Sequence, residues 1–466
     1  MTRRKKIVIG VGAAVIVLGV VGVTWARSFL HRNRPETHYD DIVEHFKYGS
    51  IGTEARLGVP APLFDLFPVM FADLLPKDRP GAGYEKLGFL YEPGHKRPIG
   101  TTVREMPVPL VGLNCAACHT GTMRDAPGGP RRFLFGGSAI NFDIEGYFQF
   151  LLAIAQDPRF TTDQLLDGIK HQDPQFGVID SLIYRYLVLP QVEKTFKNNV
   201  AQSGWLLTRP PFGPGRVDTF NPYKVYHHLD MSHDDSIGSA DFPTIYNQKP
   251  RVGMHLHWDG NNDVVEERNI SAAIGAGAEP ASLDIPEMMR IRDWIMTLPP
   301  PAFPKERIDA GKAQRGQTLW QAHCADCHAF EGKRVGQVTP VAEVGTDPER
   351  ERSFTAELAE KQNTLGTGYP WRLSHFRKTG GYANAPLDGV WLRALLFPEE
   401  RPAQFYRAYD VFDYTSVGYV SSGADAEKLG WKFDTSVRGN SNKGHMYGTE
   451  LSSDDKLDLL EYLKTL

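Results

Sequence analysis

The sequence holds only four cysteines in 466 residues, and none stands alone. They occupy two pentapeptides, Cys115-Ala116-Ala117-Cys118-His119 and Cys324-Ala325-Asp326-Cys327-His328, which leaves no cysteine over for other use. An excess of charge of either sign is also missing, since 52 Lys and Arg stand against 56 Asp and Glu, for a net charge of −4. With no long single-sign block, this balance argues against a nucleic-acid partner or a polyelectrolyte tail. Long apolar runs are absent but for one, Ile7 to Ala26, which follows Arg3, Arg4, Lys5 and Lys6. About twenty uncharged residues suffice for a bilayer-crossing helix with its basic head in the cytoplasm. The expectation is a signal anchor over 1–27, a single pass in the cytoplasmic membrane, with the rest of the chain in the periplasmic space. Thr24 and Ala26 are small enough for a cleavage site, while Trp25 and the length of the run favour retention.

Both pentapeptides spell CxxCH. Two thiols at this spacing can form thioethers to the two vinyl groups of one haem while the next histidine ligates its iron. One chance CxxCH at this cysteine content has a probability on the order of 10⁻³, so two are not an accident of composition. The expected cofactors are therefore two covalently bound haem c groups, held by Cys115, Cys118 and His119 and by Cys324, Cys327 and His328. The alternatives are a structural zinc site, whose CxxC pairs usually lie far closer in sequence, and redox dithiols, which need no following histidine.

The length allows two domains. Helical patterns run over 40–46 and 63–75, the latter broken at Pro68, and over 145–155. The stretch 81–109 reads as loop, and 158–250 is an insertion that enlarges a first domain over 28–298. A helix entered through Pro286 spans 285–298, followed by a proline-rich linker at 299–304. The second domain, 305–466, begins with a helix over 307–323 that leads into Cys324. It ends in an amphipathic helix announced by a capping box at Ser452 to Asp455. Gly316 would let this last helix cross closely, beside Trp320 and Tyr462. The fold class expected is mainly α: two cytochrome c-like haem modules, the first enlarged by the insertion, preceded by an N-terminal transmembrane helix.

Between the two motifs lie Asp241-Phe-Pro-Thr-Ile-Tyr-Asn247 and Leu256-His-Trp-Asp-Gly-Asn-Asn262. The order CxxCH, PTxYN, WDG, CxxCH resembles the bacterial dihaem cytochrome c peroxidase superfamily. The segments GLNCAACHTG (112–121), FGPGRVDTFNP (212–222), YANAPLDGVW (382–391) and NSNKGHMYGTEL (440–451) resemble its rubber-oxygenase-like branch. The resemblance implies that Trp258 lies between the haems and helps electrons pass, with Asp259 and Gly260 turning the chain to orient the indole. A tryptophan is otherwise a core residue. Two departures stand out: Asn261 replaces an arginine common in the peroxidases, and about a dozen residues of a haem-side loop are missing between Ala394 and Leu395.

The resemblance also makes His445 the second axial ligand of the haem on His328, with Met446 as its rival. No motif supplies a second ligand to the haem on His119, which leaves that one open to peroxide or dioxygen. Glu266 and Glu267 are candidate acid–base groups there, or else a solvated helix face. The functional expectation is an oxidoreductase of the dihaem peroxidase or oxygenase type, with small redox proteins as electron partners. The alternative is a non-catalytic electron-transfer cytochrome. A haem-based sensor is a third class, for which no signalling module is visible.

Overall fold

The computed structural model describes residues 37–393 and 402–466, together with Thr24 and Ser28. The gap after Ala394 falls outside the described residues. So does the apolar run 7–26 apart from Thr24, and among the described residues no helix is long and apolar enough to cross a membrane. The one described helical stretch of sufficient length, 178–202, carries Asp180, Arg185, Glu193, Lys194 and Lys197. The transmembrane helix and the membrane location expected from the sequence are corrected accordingly.

The mainly α expectation is corrected as well, because helix makes up 42% and strand 11% of the described residues. Among the described residues, glycine- and proline-rich connections fold into one three-stranded and five two-stranded sheets. Thr101–Glu105, inside the stretch read as loop, pairs antiparallel with Pro109–Leu113, which pairs in turn with Val59–Pro60. Its Thr-Thr-Val run suits a strand better than the surrounding glycines suggest. The break expected at Pro68 does not occur, since one helix runs over Ala61–Met70. Proline cannot donate to the carbonyl of Phe64, four residues back. The Tyr84 hydroxyl donates to that carbonyl instead, at 2.9 Å.

The first core gathers Phe64, Phe67, Phe150 and Ile154 with Leu165, Leu166, Leu189 and Phe196 from the insertion. A second core lies under the first CxxCH. There the helix Ile42–Tyr48 packs on the helix Ile285–Thr297, with Phe46 and Trp294 ring centres 5.0 Å apart. Residues beyond the proline run complete this core: Phe354 and Leu358 lie among Phe220, Ile270 and Ile274. Phe303 of the proline run is itself buried against Trp391, whose indole donates to the Pro301 carbonyl at 2.8 Å. The halves of the sequence therefore interleave.

The helix Ala310–His323 begins at Asp309, whose carboxylate accepts from the N–H groups of Gly311 and Lys312. It crosses the terminal helix Ser453–Leu463, which Ser452 caps through the Asp455 N–H. The crossing is at Gly316, where an added Cβ would lie 2.0 Å from the Asp458 carbonyl oxygen. Trp320 and Tyr462 flank it at 5.9 Å, and Arg315 grips the Asp458 carboxylate with two bonds of 2.6 and 2.7 Å. Backbone against backbone leaves nothing flexible to yield. Gly316→Ala should cost about 1–3 kcal/mol, read as a lower urea midpoint; an unchanged midpoint would mean that the helices can separate freely.

Candidate functional site

Asn114 positions the first CxxCH turn. Its carboxamide oxygen caps the Ala116 N–H at 3.0 Å and its NH2 donates to the Gly49 carbonyl at 3.0 Å. From the end of that turn, His119 places Nδ1 2.9 Å from the Pro243 carbonyl oxygen. The second motif repeats the arrangement, with Nδ1 of His328 2.7 Å from the Ala385 carbonyl oxygen. A carbonyl accepts only, so in both rings the proton is on Nδ1 and Nε2 keeps its lone pair for a metal. Burial lowers the pKa of His119 to about 4, against the Pro243 hydrogen bond, and also lowers that of His328. Both are neutral near pH 7.

All four thiols are free. Burial pushes Cys115 and Cys324 up to about 11 and Cys118 to about 12, the reverse of the lowered pKa that activates a redox dithiol. Zinc fares no better. Among the described residues, the one group of three His, Cys, Asp or Glu side chains close enough to share an ion is His38, His45 and Glu287, without a cysteine. Nor does that group suit a metal. Nδ1 of His45 accepts from the Tyr39 N–H, so the ring proton is on Nε2, which faces Glu287 at 3.2 Å, and Arg290 caps the same carboxylate. It is a latch of a neutral imidazole on a carboxylate, between the helices Ile42–Tyr48 and Ile285–Thr297.

Opposite His328 stands His445, with ring centres 6.2 Å apart and planes 36° from parallel. That separation leaves room for one metal ion between the two rings, at metal–nitrogen bonds of about 2.0–2.1 Å each. Met446, the rival, is 62% exposed. A cleft of about 820 Å³ opens beside Cys327, walled by the 442–448 loop and by Arg334 and Glu343.

Trp258 joins the two histidine supports. Its Nε1–H donates to the Asp241 carbonyl at 3.0 Å, two residues before Pro243. Its own carbonyl accepts from the Ala383 N–H at 2.9 Å, two residues before Ala385. Asp259, buried and paired with Arg350 at 3.2 Å, and Gly260 at φ +65° form the turn that presents the indole. The backbone–indole–backbone path thus links both rings.

The two glutamates are engaged elsewhere. Glu266 pairs with Arg292 at 2.7 Å. Glu267 accepts from the backbone N–H groups of Ser374 and His375, from the Ser374 hydroxyl, from His375 Nδ1 and from Asn262. Sequence reasoning missed Arg268, and took His257 only as one of several side chains (Met106, Met123, His227, His228, His233, His255 and His257) available as a second ligand to the first haem. The charge of Arg268 is felt at both Cys115 and His119, and burial lowers its own pKa to about 10. His257 adopts a left-handed backbone, φ +65°, with Nδ1 2.5 Å from Asn261 Oδ1. Arg268 supplies a cation seven residues beyond the position where Asn261 lacks one. The only sequence signal was its place after the glutamate pair.

Two relatives match the chain. The uncharacterized protein y4iJ of Sinorhizobium fredii is 24% identical over 506 residues, which cover 82% of this chain and 81% of that protein. The uncharacterized protein y4iM of the same organism is 27% identical over 285 residues, 48% of this chain, and the match spans 64% of that protein's length. No family profile matches the chain, and no solved structure does.

Two outcomes follow from these contacts. Glu267→Ala should cost about 2–3 kcal/mol by stripping partners from two backbone N–H groups, seen as a lower urea midpoint; a neutral change would return Glu267 to the acid–base candidates. The latch should weaken in mild acid. Burial, opposed by Glu287, lowers the pKa of His45, so the unfolded chain binds this proton more readily than the fold. The contribution is complete above about pH 6.5 and drains below it. Between pH 7 and 5.5 the urea midpoint should fall less in His45→Gln than in the parent; parallel curves would exclude the latch.

Proposed function

We propose that the chain is a dihaem c-type oxidoreductase of the peroxidase or oxygenase type, taking peroxide or dioxygen at the first site and relaying electrons through the second. The observation that supports this reading best is the shared support of His119 and His328, each held by Nδ1 on a carbonyl and both carbonyl segments joined through Trp258. Haem c, when bound, supplies reversible one-electron chemistry at iron and, where an axial position is open, binding of a small oxidant.

The chain's residues supply the rest. Cys115, Cys118, Cys324 and Cys327 would carry the thioethers, and Nε2 of His119 and His328 would ligate. His445 would close the second site on its other face, which suits that site to electron storage rather than substrate binding. Arg268 gives the first site a positive charge that favours a bound anionic oxygen. The Pro243 and Ala385 carbonyls hold the ring protons and thereby raise the basicity of the ligating nitrogens. Trp258 offers a covalent and hydrogen-bonded route between the supports.

Protein matured with a haem c assembly system should retain two haems through acid-acetone extraction, counted by mass spectrometry; one haem or none would end the proposal. Its ferric EPR spectrum should hold one high-spin and one low-spin signal. His445→Ala should convert the low-spin signal to high-spin and spare the other. Two low-spin signals, both indifferent to that change, would favour a non-catalytic electron carrier. Trp258→Phe should preserve both spectra and slow electron transfer between the haems at least tenfold.

A further inference from the structure

Arg393 lies over the face of Trp258, its guanidinium carbon 4.8 Å from the indole centre. The nearby carboxylates are already committed to other cations. Asp241 pairs with Arg216 at 3.2 Å and Arg407 at 3.0 Å, and Asp388 with Arg251. Among the described residues Arg393 has no carboxylate partner within ion-pair distance; besides the indole it reaches the Thr244 hydroxyl, at 3.5 Å. Thr244 follows Pro243, whose carbonyl holds His119. A half-buried guanidinium that pairs with no carboxylate among the described residues therefore sits on the aromatic ring that bridges the two histidine supports.

We infer that Arg393 is a positioning residue that keeps the Trp258 indole reduced. A cation over the ring face is attracted by the electron density of the neutral indole. Loss of one electron from that indole, to any one-electron acceptor, puts a positive charge directly beneath the guanidinium, and the two charges repel. The neutral ring is favoured and its cation radical disfavoured. Trp258 then serves as a bridge that electrons cross without resting on it, and it is shielded from oxidative damage. The role in relay rests on the function proposed above; the protection of the indole does not.

The test is a footprint on the haem-loaded full chain. A photogenerated ruthenium(III) tris-bipyridine oxidant removes one electron from accessible indoles, and peptide mass spectrometry then measures oxidation at each tryptophan. In the parent protein Trp258 should be oxidised at least tenfold less than the similarly half-buried Trp294 and Trp371. Arg393→Gln should remove that difference while leaving Trp431 unchanged, and Arg393→Lys, which keeps the charge, should restore most of it. Oxidation of parental Trp258 on a par with Trp371 would overturn the inference, whether or not the glutamine variant folds. Equal Trp258 oxidation in the parent, lysine and glutamine proteins would do the same. The haem count and EPR spectra judge the function separately, since the footprint reads only the indole.

Discussion

Everything in the candidate site depends on two hydrogen bonds from histidine Nδ1 to a backbone carbonyl. Each fixes a ring's orientation and its tautomer at once, leaving Nε2 with its lone pair. A carbonyl is a dependable partner for this purpose because it cannot change protonation. The carbonyl must itself be held, and here the supports are shared: the segments bearing Pro243 and Ala385 are both tied to Trp258. Movement of the indole would disturb both histidines, so Asp259, Gly260 and Arg350 stabilise two sites through one turn.

The parts legible in the sequence were those set by local rules. The CxxCH spacing, the Ser452 cap, the entry through Pro286 and the close crossing at Gly316 each depend on a few consecutive residues or on one missing side chain. The carbonyl partners of the histidines were not legible, because any residue can offer a carbonyl and only the tertiary fold chooses which. Pro68 misled because its cost is met by Tyr84, sixteen residues away. Glu266 and Glu267 misled for the opposite reason: adjacent carboxylates suggest acid–base chemistry, and only the fold brings Arg292 and the Ser374 and His375 backbone to them. The strands of 101–113 were hidden by surrounding glycine and proline.

The proline run 299–304 has the composition of a spacer, yet Phe303 is a core residue and Pro301 an acceptor for Trp391. Stiffness explains both facts. A chain segment with few conformations loses little entropy when it is packed, and a rigid strap can hold two units in fixed relation. The burial of Phe354 and Leu358 in the core beneath the first CxxCH has the same effect from the other side. Relative motion of the two histidine sites would have to break this shared core.

The distance in sequence between each histidine and its carbonyl has a consequence for the order of events during synthesis. His119 waits for a partner 124 residues downstream and His328 for one 57 residues downstream. Both rings are free to turn until those long loops close, and closing them is the slow, entropy-limited part of folding. The cysteines beside them share that interval. Chemistry that must reach Cys115 and Cys118 from outside has its easiest opening before the loops close, whereas Cys327 still borders an open cleft in the folded chain.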